Sequence, residues 1–328
     1  MLDLATLKRI KLSSRPIWQR VIAGALVVNY RWRTKIEVEG LDNIPDEPVI
    51  YAMNHTDRYN YWPFQLMLYR RCDRFTATWV KGKYYENRGV GYFMQKTNNL
   101  PAVSRGYLIT RDFVSTMGRR PDETEYRLLR DWVDGVARGE GPSEAPDVPE
   151  ELLTTGRDML GRAFEPAQES YPQAIQAVFH AMTGLFLDLH DEAFGLGLDL
   201  LVFPQGTRSK RLSRGRIGLA EIALHYKKTV VPVGCSGSDV VYPGGSPFAK
   251  AGRVVYRIGE PLSYEDMAAF HIGRPFIPFD PLAERAHAPV FQAYVDRVMA
   301  RINDLVDPEY RFHEQDDGDG VRGADRFL

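Results

Sequence analysis

Residues 47–62 read EPVIYAMNHTDRYNYW, and their first half decides the fold. Val49 to Met53 is a short apolar run without polar interruption, the pattern of a strand covered on both faces. YWPFQLMLYRR, beginning at Tyr61, has helical spacing. The stretch therefore reads as strand, loop and helix, with His55 in the loop.

The same alternation recurs along the chain. KIEVEGLDNIP (35–45), FTATWVKGKYY (75–85), LDLLVFPQG (198–206), TVVPVGCSG (229–237) and RVVYRIGEPL (253–262) read as strands with their turns. GVGYFMQKTNNLPAVSRG (89–106) reads as a helix followed by a strand and loop, and GLAEIALHYKK (218–228) as a helix. Strands alternating with helices predict an α/β domain with a mixed, mostly parallel sheet flanked by helices. In such sheets ligands bind at loops beyond the carboxyl ends of the strands. Both Asn54-His55 and the segment 203–209 fall there.

Residues 106 to about 170 change character, within an insertion expected over about 106–195. RRPDETEYRLLRDWVDGVARGEGPSEAPDVPEELL reads as a charged surface helix and an exposed loop. YPQAIQAVFHAMTGLFLDLHDEAF (171–194) has the period of a long buried helix. This region is expected as an insertion that covers a groove or contacts a partner. Residues 311–328 are polar and acidic and are expected to be a disordered tail.

The whole chain has 328 residues, 44% hydrophobic and 26% charged, with a formal charge of −1. That balance gives no argument for a nucleic-acid partner. Cys72 and Cys235 lie far apart with no metal-ligand spacing and read as reduced residues in or near the core. His180, His190, His225, His271, His287 and His313 lack a nucleophile or ligand pattern and read as structural or surface residues. The first 35 residues are distinct: eight lysines and arginines stand against the single acid Asp3. They flank the apolar PIWQRVIAGALVVNYRW (16–32), which suits a segment lying in the interface of an anionic membrane. The alternative is an amphipathic helix docked on the domain itself.

FPQGTRSKRLSRGR (203–216) breaks regular structure at Pro204 and Gly206 and then carries five cations with no acid. A Gly-Thr-Arg turn offers backbone N–H groups, a hydroxyl and a guanidinium together, the donors a phosphate needs. His55 raises a separate matter. An acid-base histidine needs an acceptor to fix its tautomer. Asp57 stands two residues on and Asn60 five residues on. Asp57 reads equally well as a helix-capping residue.

Together these segments resemble the glycerolipid acyltransferase family, of the 1-acylglycerol-3-phosphate (lysophosphatidic acid) acyltransferase type. NHTDRYN stands at that family's H-x-x-x-x-D motif and LPAVSRG, with Arg105, at its arginine motif. FPQGTRS matches F-P-E-G-T-R-S at six of seven positions, and VVPVGCSG stands at the later V-P-V strand. The resemblance spans roughly residues 36–105 and 196–265.

It implies transfer of a fatty acyl group from acyl-CoA or acyl-carrier protein to a lyso-lipid hydroxyl. No cofactor is implied beyond that co-substrate. His55 would be the general base, with Asp57 or Asn60 as its partner. Arg105, Gln205, Gly206, Thr207, Arg208 and Ser209 would hold the acceptor. The aromatics around Tyr61, Trp62 and Phe64 would border the acyl groove or simply pack their helix. The expected organisation is a membrane-associating segment over 1–35 and an acyltransferase-like domain over 36–310. The expected location is the cytoplasmic face of a membrane, peripheral or monotopic. Two positions depart from the family pattern: Asn60 replaces its aspartate and Gln205 its glutamate. That leaves a rival reading, a lipid-binding or partner-binding protein on the same fold, and a further one, an enzyme for a different lyso-lipid acceptor.

Overall fold

The computed structural model describes residues 2–30, 33–140, 144–312 and 323–327. Nine strands occur among them: β1 (Thr34–Glu39), β2 (Ile50–Met53), β3 (Thr76–Lys81), β4 (Asn99–Ala102), β5 (Arg157–Met159), β6 (Arg162–Phe164), β7 (Asp199–Val202), β8 (Val230–Ser236) and β9 (Gly252–Ile258). Seven form one sheet in the order β1-β9-β8-β2-β7-β3-β4. β8, β2, β7, β3 and β4 run parallel, whereas β9 and β1 run together in the opposite direction. The sheet is thus mixed and mostly parallel.

Strand alternation divides the core into two layers. On β2, Val49, Tyr51 and Met53 face one layer, and Ile50 and Ala52 face the other. The first layer is closed by α2 (Ile17–Tyr30) and α3 (Tyr61–Cys72). The second is closed by α1 (Leu4–Arg9), α5 (Arg105–Met117), α6 (Glu123–Ala137), α8 (Tyr171–Gly195), α9 (Gly218–Tyr226) and α11 (Pro281–Leu305). Three further α-helices complete the set among the described residues: α4 (Arg88–Lys96), α7 (Glu150–Thr154) and α10 (Ser238–Val241).

Segment 106–195 is neither a flap nor a plain loop. Leu108, Phe113, Leu129, Phe164, Ile175 and Met182 are buried in the same cluster as Ile50 and Ala52. Within this segment α6 is the charged helix anticipated, started by a capping box between Asp122 and Glu125. The stretch expected as exposed loop holds α7 and the β5-β6 hairpin.

The first 35 residues also divide. Leu2, Leu7 and Ile10 are buried in the main core, so α1 is part of the domain. α2 buries Ala23, Leu26 and Tyr30 against α3 but leaves Ile17, Trp18, Val21 and Val28 exposed. No described helix is long and apolar enough to cross a membrane. Of the tail expected to be disordered, residues 313–322 lie outside the described residues. Gly323–Phe327 forms a short turn whose Phe327 packs against Tyr126 of α6. His190 is a core residue: Trp79 Nε1 donates to its Nε2 at 2.9 Å, and burial pulls its pKa down to about 4.

Candidate active site

Three parallel strands, β8, β2 and β7, lie side by side at the centre of the sheet and end at the same edge. The loops that follow them build the site. After Met53, the Asn54 side chain takes over the role of a strand backbone. It donates to the Cys235 carbonyl at 2.8 Å and accepts from the Cys235 N–H at 2.7 Å. This pair of bonds holds the start of the His55 loop against β8.

His55 Nδ1 lies 3.1 Å from Asn60 Oδ1. The other end of that amide, Nδ2, donates to the Asn54 carbonyl at 2.7 Å. A carbonyl can only accept, so the amide is oriented with its oxygen towards the imidazole. Nδ1 must then carry the proton, which makes Nε2 the ring nitrogen with the lone pair. Asn60 is wholly buried at the N-terminus of α3, and Tyr256 OH donates to its backbone carbonyl at 2.6 Å. Phe203 stacks on the imidazole, centroid to centroid 4.1 Å, and holds the ring plane.

Asp57 does not take the partner role. Its carboxylate accepts from Tyr59 N at 2.8 Å and from Thr56 Oγ1 at 2.9 Å, closing the turn that leads into α3. Burial pushes its pKa up, opposed by the Ser238 hydroxyl and these two donors. The first turn of α3 carries position 60 back beneath the ring, while position 57 points into the turn itself.

Gln205 ties the two loops together. Its Oε1 accepts from His55 N–H at 3.1 Å, and its Nε2 donates to the Arg211 carbonyl at 3.2 Å. Ser209 N–H adds a bond to the His55 carbonyl at 2.9 Å. Gln205 is almost fully buried, so it faces protein instead of a head group. An amide suits this place because it serves one donor and one acceptor at once. Gln205→Ala is expected to orphan both groups at about 1–3 kcal/mol each, lowering the melting temperature by several degrees. An unchanged thermal transition would show that the clamp is dispensable.

The remaining turn residues are open. Gly206 is exposed with φ +69°, a conformation favouring glycine, and Thr207 and Arg208 are half-buried beside it. Arg208 makes no ion pair with any described residue, whereas Lys210 is drawn aside to Glu309 at 3.5 Å. Arg105 is not brought to this turn. Its Nε donates to Asp134 Oδ1 at 2.6 Å, its Nη2 lies 3.6 Å from Glu284, and its guanidinium covers the Phe179 ring. As the first residue of α5 it is directed between α6, α8 and α11, where two carboxylates neutralise it.

Asn54 and Phe203 carry no role in the reading of the sequence. An asparagine directly after a buried strand is the available signal for the first. The second depends on a contact between distant segments.

Residues 35–125 match the family model described as Acyltransferase. The matched stretch runs from β1 into α6 and includes His55, Asn60 and Arg105. No curated protein matches the chain. Among solved structures, the chain is similar to the 1-acyl-sn-glycerophosphate (LPA) acyltransferase PlsC from Thermotoga maritima. The two share 17% identity over 86% of this chain and 80% of that one, with a TM-score of 0.39. The strand, loop and helix that carry the His55–Asn60 pair lie within the matched stretch.

Proposed function

We propose that this protein is an acyltransferase that moves a fatty acyl group from an acyl-CoA or acyl-carrier-protein thioester to the hydroxyl of a lysophosphatidate-like acceptor. The observation that carries this reading is the oriented Asn60 amide, which leaves the lone pair of His55 on Nε2. That nitrogen takes the hydroxyl proton as the oxygen attacks the thioester carbonyl. The C–S bond then breaks and the proton passes to the leaving thiolate. The thioester is already activated, so no acyl-enzyme is required. Gly206, Thr207 and Arg208 hold the acceptor phosphate. The aromatic series His55–Phe203–Tyr61–Trp62 continues towards a narrow crevice between α2 and α3, lined by Ala23, Leu26 and Leu66, whose volume of about 20 Å³ has room for no more than a water, so an acyl chain would have to part the two helices.

The test is transfer of labelled acyl from long-chain acyl-CoA, and separately from acyl-carrier protein, to lysophosphatidate. Formation of the diacyl product is expected with at least one donor. Binding of lyso-lipid without any turnover would favour the rival reading, a lipid-binding protein.

The exposed face of α2 supports docking on the cytoplasmic surface of an anionic membrane. Ile17, Trp18, Val21 and Val28 share that face, 71% of Ile17 being exposed, with Lys11 and Arg20 nearby in sequence and also exposed. Phe248, 76% exposed, stands beside the end of this helix, because Asn29 donates to the Pro247 carbonyl at 3.2 Å and accepts from Ala249 N–H. Deleting the first 35 residues would remove core side chains of α1, so the sharper test is substitution. Ile17→Asp with Val28→Asp is expected to weaken sedimentation with anionic vesicles at least tenfold without lowering the melting temperature. Unchanged sedimentation would remove α2 as the docking face.

A further inference from the structure

We infer that the cavity behind the Gly206 turn receives the ammonium group of a zwitterionic acceptor, an amino-alkyl phosphodiester lyso-lipid. This rests on the proposed acyl transfer and names its acceptor class. The cavity has a volume of about 340 Å³ and is lined by Arg214, Arg216, Glu221, Phe279, Glu284 and Gln292. It adjoins the turn proposed to hold phosphate: Arg216 N–H donates to the Pro204 carbonyl at 2.8 Å, and Arg216 Cγ is the nearest side-chain atom to the Cβ direction of Gly206.

Glu221, on α9, is completely buried. Its Oε1 accepts from Phe279 N–H at 2.9 Å, while Oε2 is buried without a hydrogen-bond partner. A buried carboxyl oxygen left in this state is costly and calls for a donor. Burial, and then the neighbouring Glu284, push the Glu221 pKa up to about 8. Arg105, whose charge also acts on Glu221, is already shared between Glu284 and Asp134. A second acid close by favours a cation over a neutral amide. At the same cavity, Arg214 and Arg216 are exposed and pair with no described carboxylate, adding positive charge beside the Gly206–Arg208 turn proposed to hold the phosphate. A cationic turn with two further guanidiniums, next to a buried carboxyl with one oxygen left without a hydrogen bond, is complementary to a phosphate and an amine joined by a short linker.

The experiment compares short-chain lysophosphatidylethanolamine with the matching lysophosphatidylmethanol, which has the same phosphodiester and no amine. Binding is measured by calorimetry and transfer by product formation, on wild type and Glu221→Gln. Wild type is expected to prefer the ethanolamine lipid about tenfold or more, and Glu221→Gln to bring that ratio close to one. The ratio is taken within one variant, so partial unfolding does not move it. Equal binding by wild type, or a preference that survives Glu221→Gln, would overturn the inference. A Glu221→Gln defect confined to the KM of the acyl donor would also overturn it and give the cavity to the donor. If the binding preference holds but neither lipid is acylated, the acyl-transfer reading fails and the head-group site stands. If both are acylated equally, the reverse is true.

Discussion

His55→Ala is expected to lower acyl transfer by about 10²–10⁴-fold, the range a positioned general base contributes. The loss should fall on kcat, because no head-group contact proposed here runs through the imidazole. Binding of lyso-lipid to the variant is expected to stay within a few-fold of wild type. The fold should survive, since the bonds joining the two loops use the His55 backbone: its N–H goes to Gln205 and its carbonyl accepts from Ser209. Removing the ring takes away the stacking on Phe203 and the bond to Asn60. Turnover persisting within tenfold of wild type would show that His55 is not the base.

The second large effect is at Asn60. Asn60→Ala removes the acceptor for His55 Nδ1–H and the donor to the Asn54 carbonyl, both at a fully buried position. Each orphaned group costs about 1–3 kcal/mol. With no acceptor at Nδ1 the ring tautomer is no longer held, and a fall in kcat on the order of 10²-fold is expected. Asn60→Asp should behave differently. One carboxylate oxygen would still accept from Nδ1–H and would favour the imidazolium. The other would stand where Nδ2 now lies, 2.7 Å from the Asn54 carbonyl, oxygen against oxygen. The gain and the repulsion oppose each other, so transfer is expected within about tenfold of wild type with lower thermal stability. A thousand-fold rise in Asn60→Asp would instead identify the native protein as a catalytically impaired form. In a serine-protease triad the Asp-to-Asn change is harmful because the amide holds the wrong tautomer. Here the bond to Asn54 turns the amide the productive way, and the missing element is charge alone.

Much of this architecture was legible before any contact was known. The apolar runs at 50–53, 199–202 and 230–236 could only be strands covered on both sides, and the loops after them had to meet at one edge of a parallel sheet. What failed was local. Residues 105–117 form a helix because Leu108, Ile109 and Phe113 find the main core, although the region was read as a charged insertion. The helix at 281–305 contains Pro289, which withdraws a backbone donor and interrupts the helical signal. The amphipathic start was read as one segment, yet α1 is core and only α2 presents an apolar face outward.

The amino-acid sequence alone determined the α/β class, the succession of the main-sheet strands along the chain and the placement of His55 and the Gly-Thr-Arg turn at strand ends. Side-chain periodicity is a property of neighbouring residues and survives without a third dimension. Only the tertiary structure decided that Asn60 faces the imidazole while Asp57 closes a turn. It also decided that Gln205 joins two loops, and that Arg105 is neutralised by Asp134 and Glu284. Each of these depends on the direction in which a side chain leaves its backbone and on which of several candidate groups, often more than a hundred residues away, folding brings within about 3 Å.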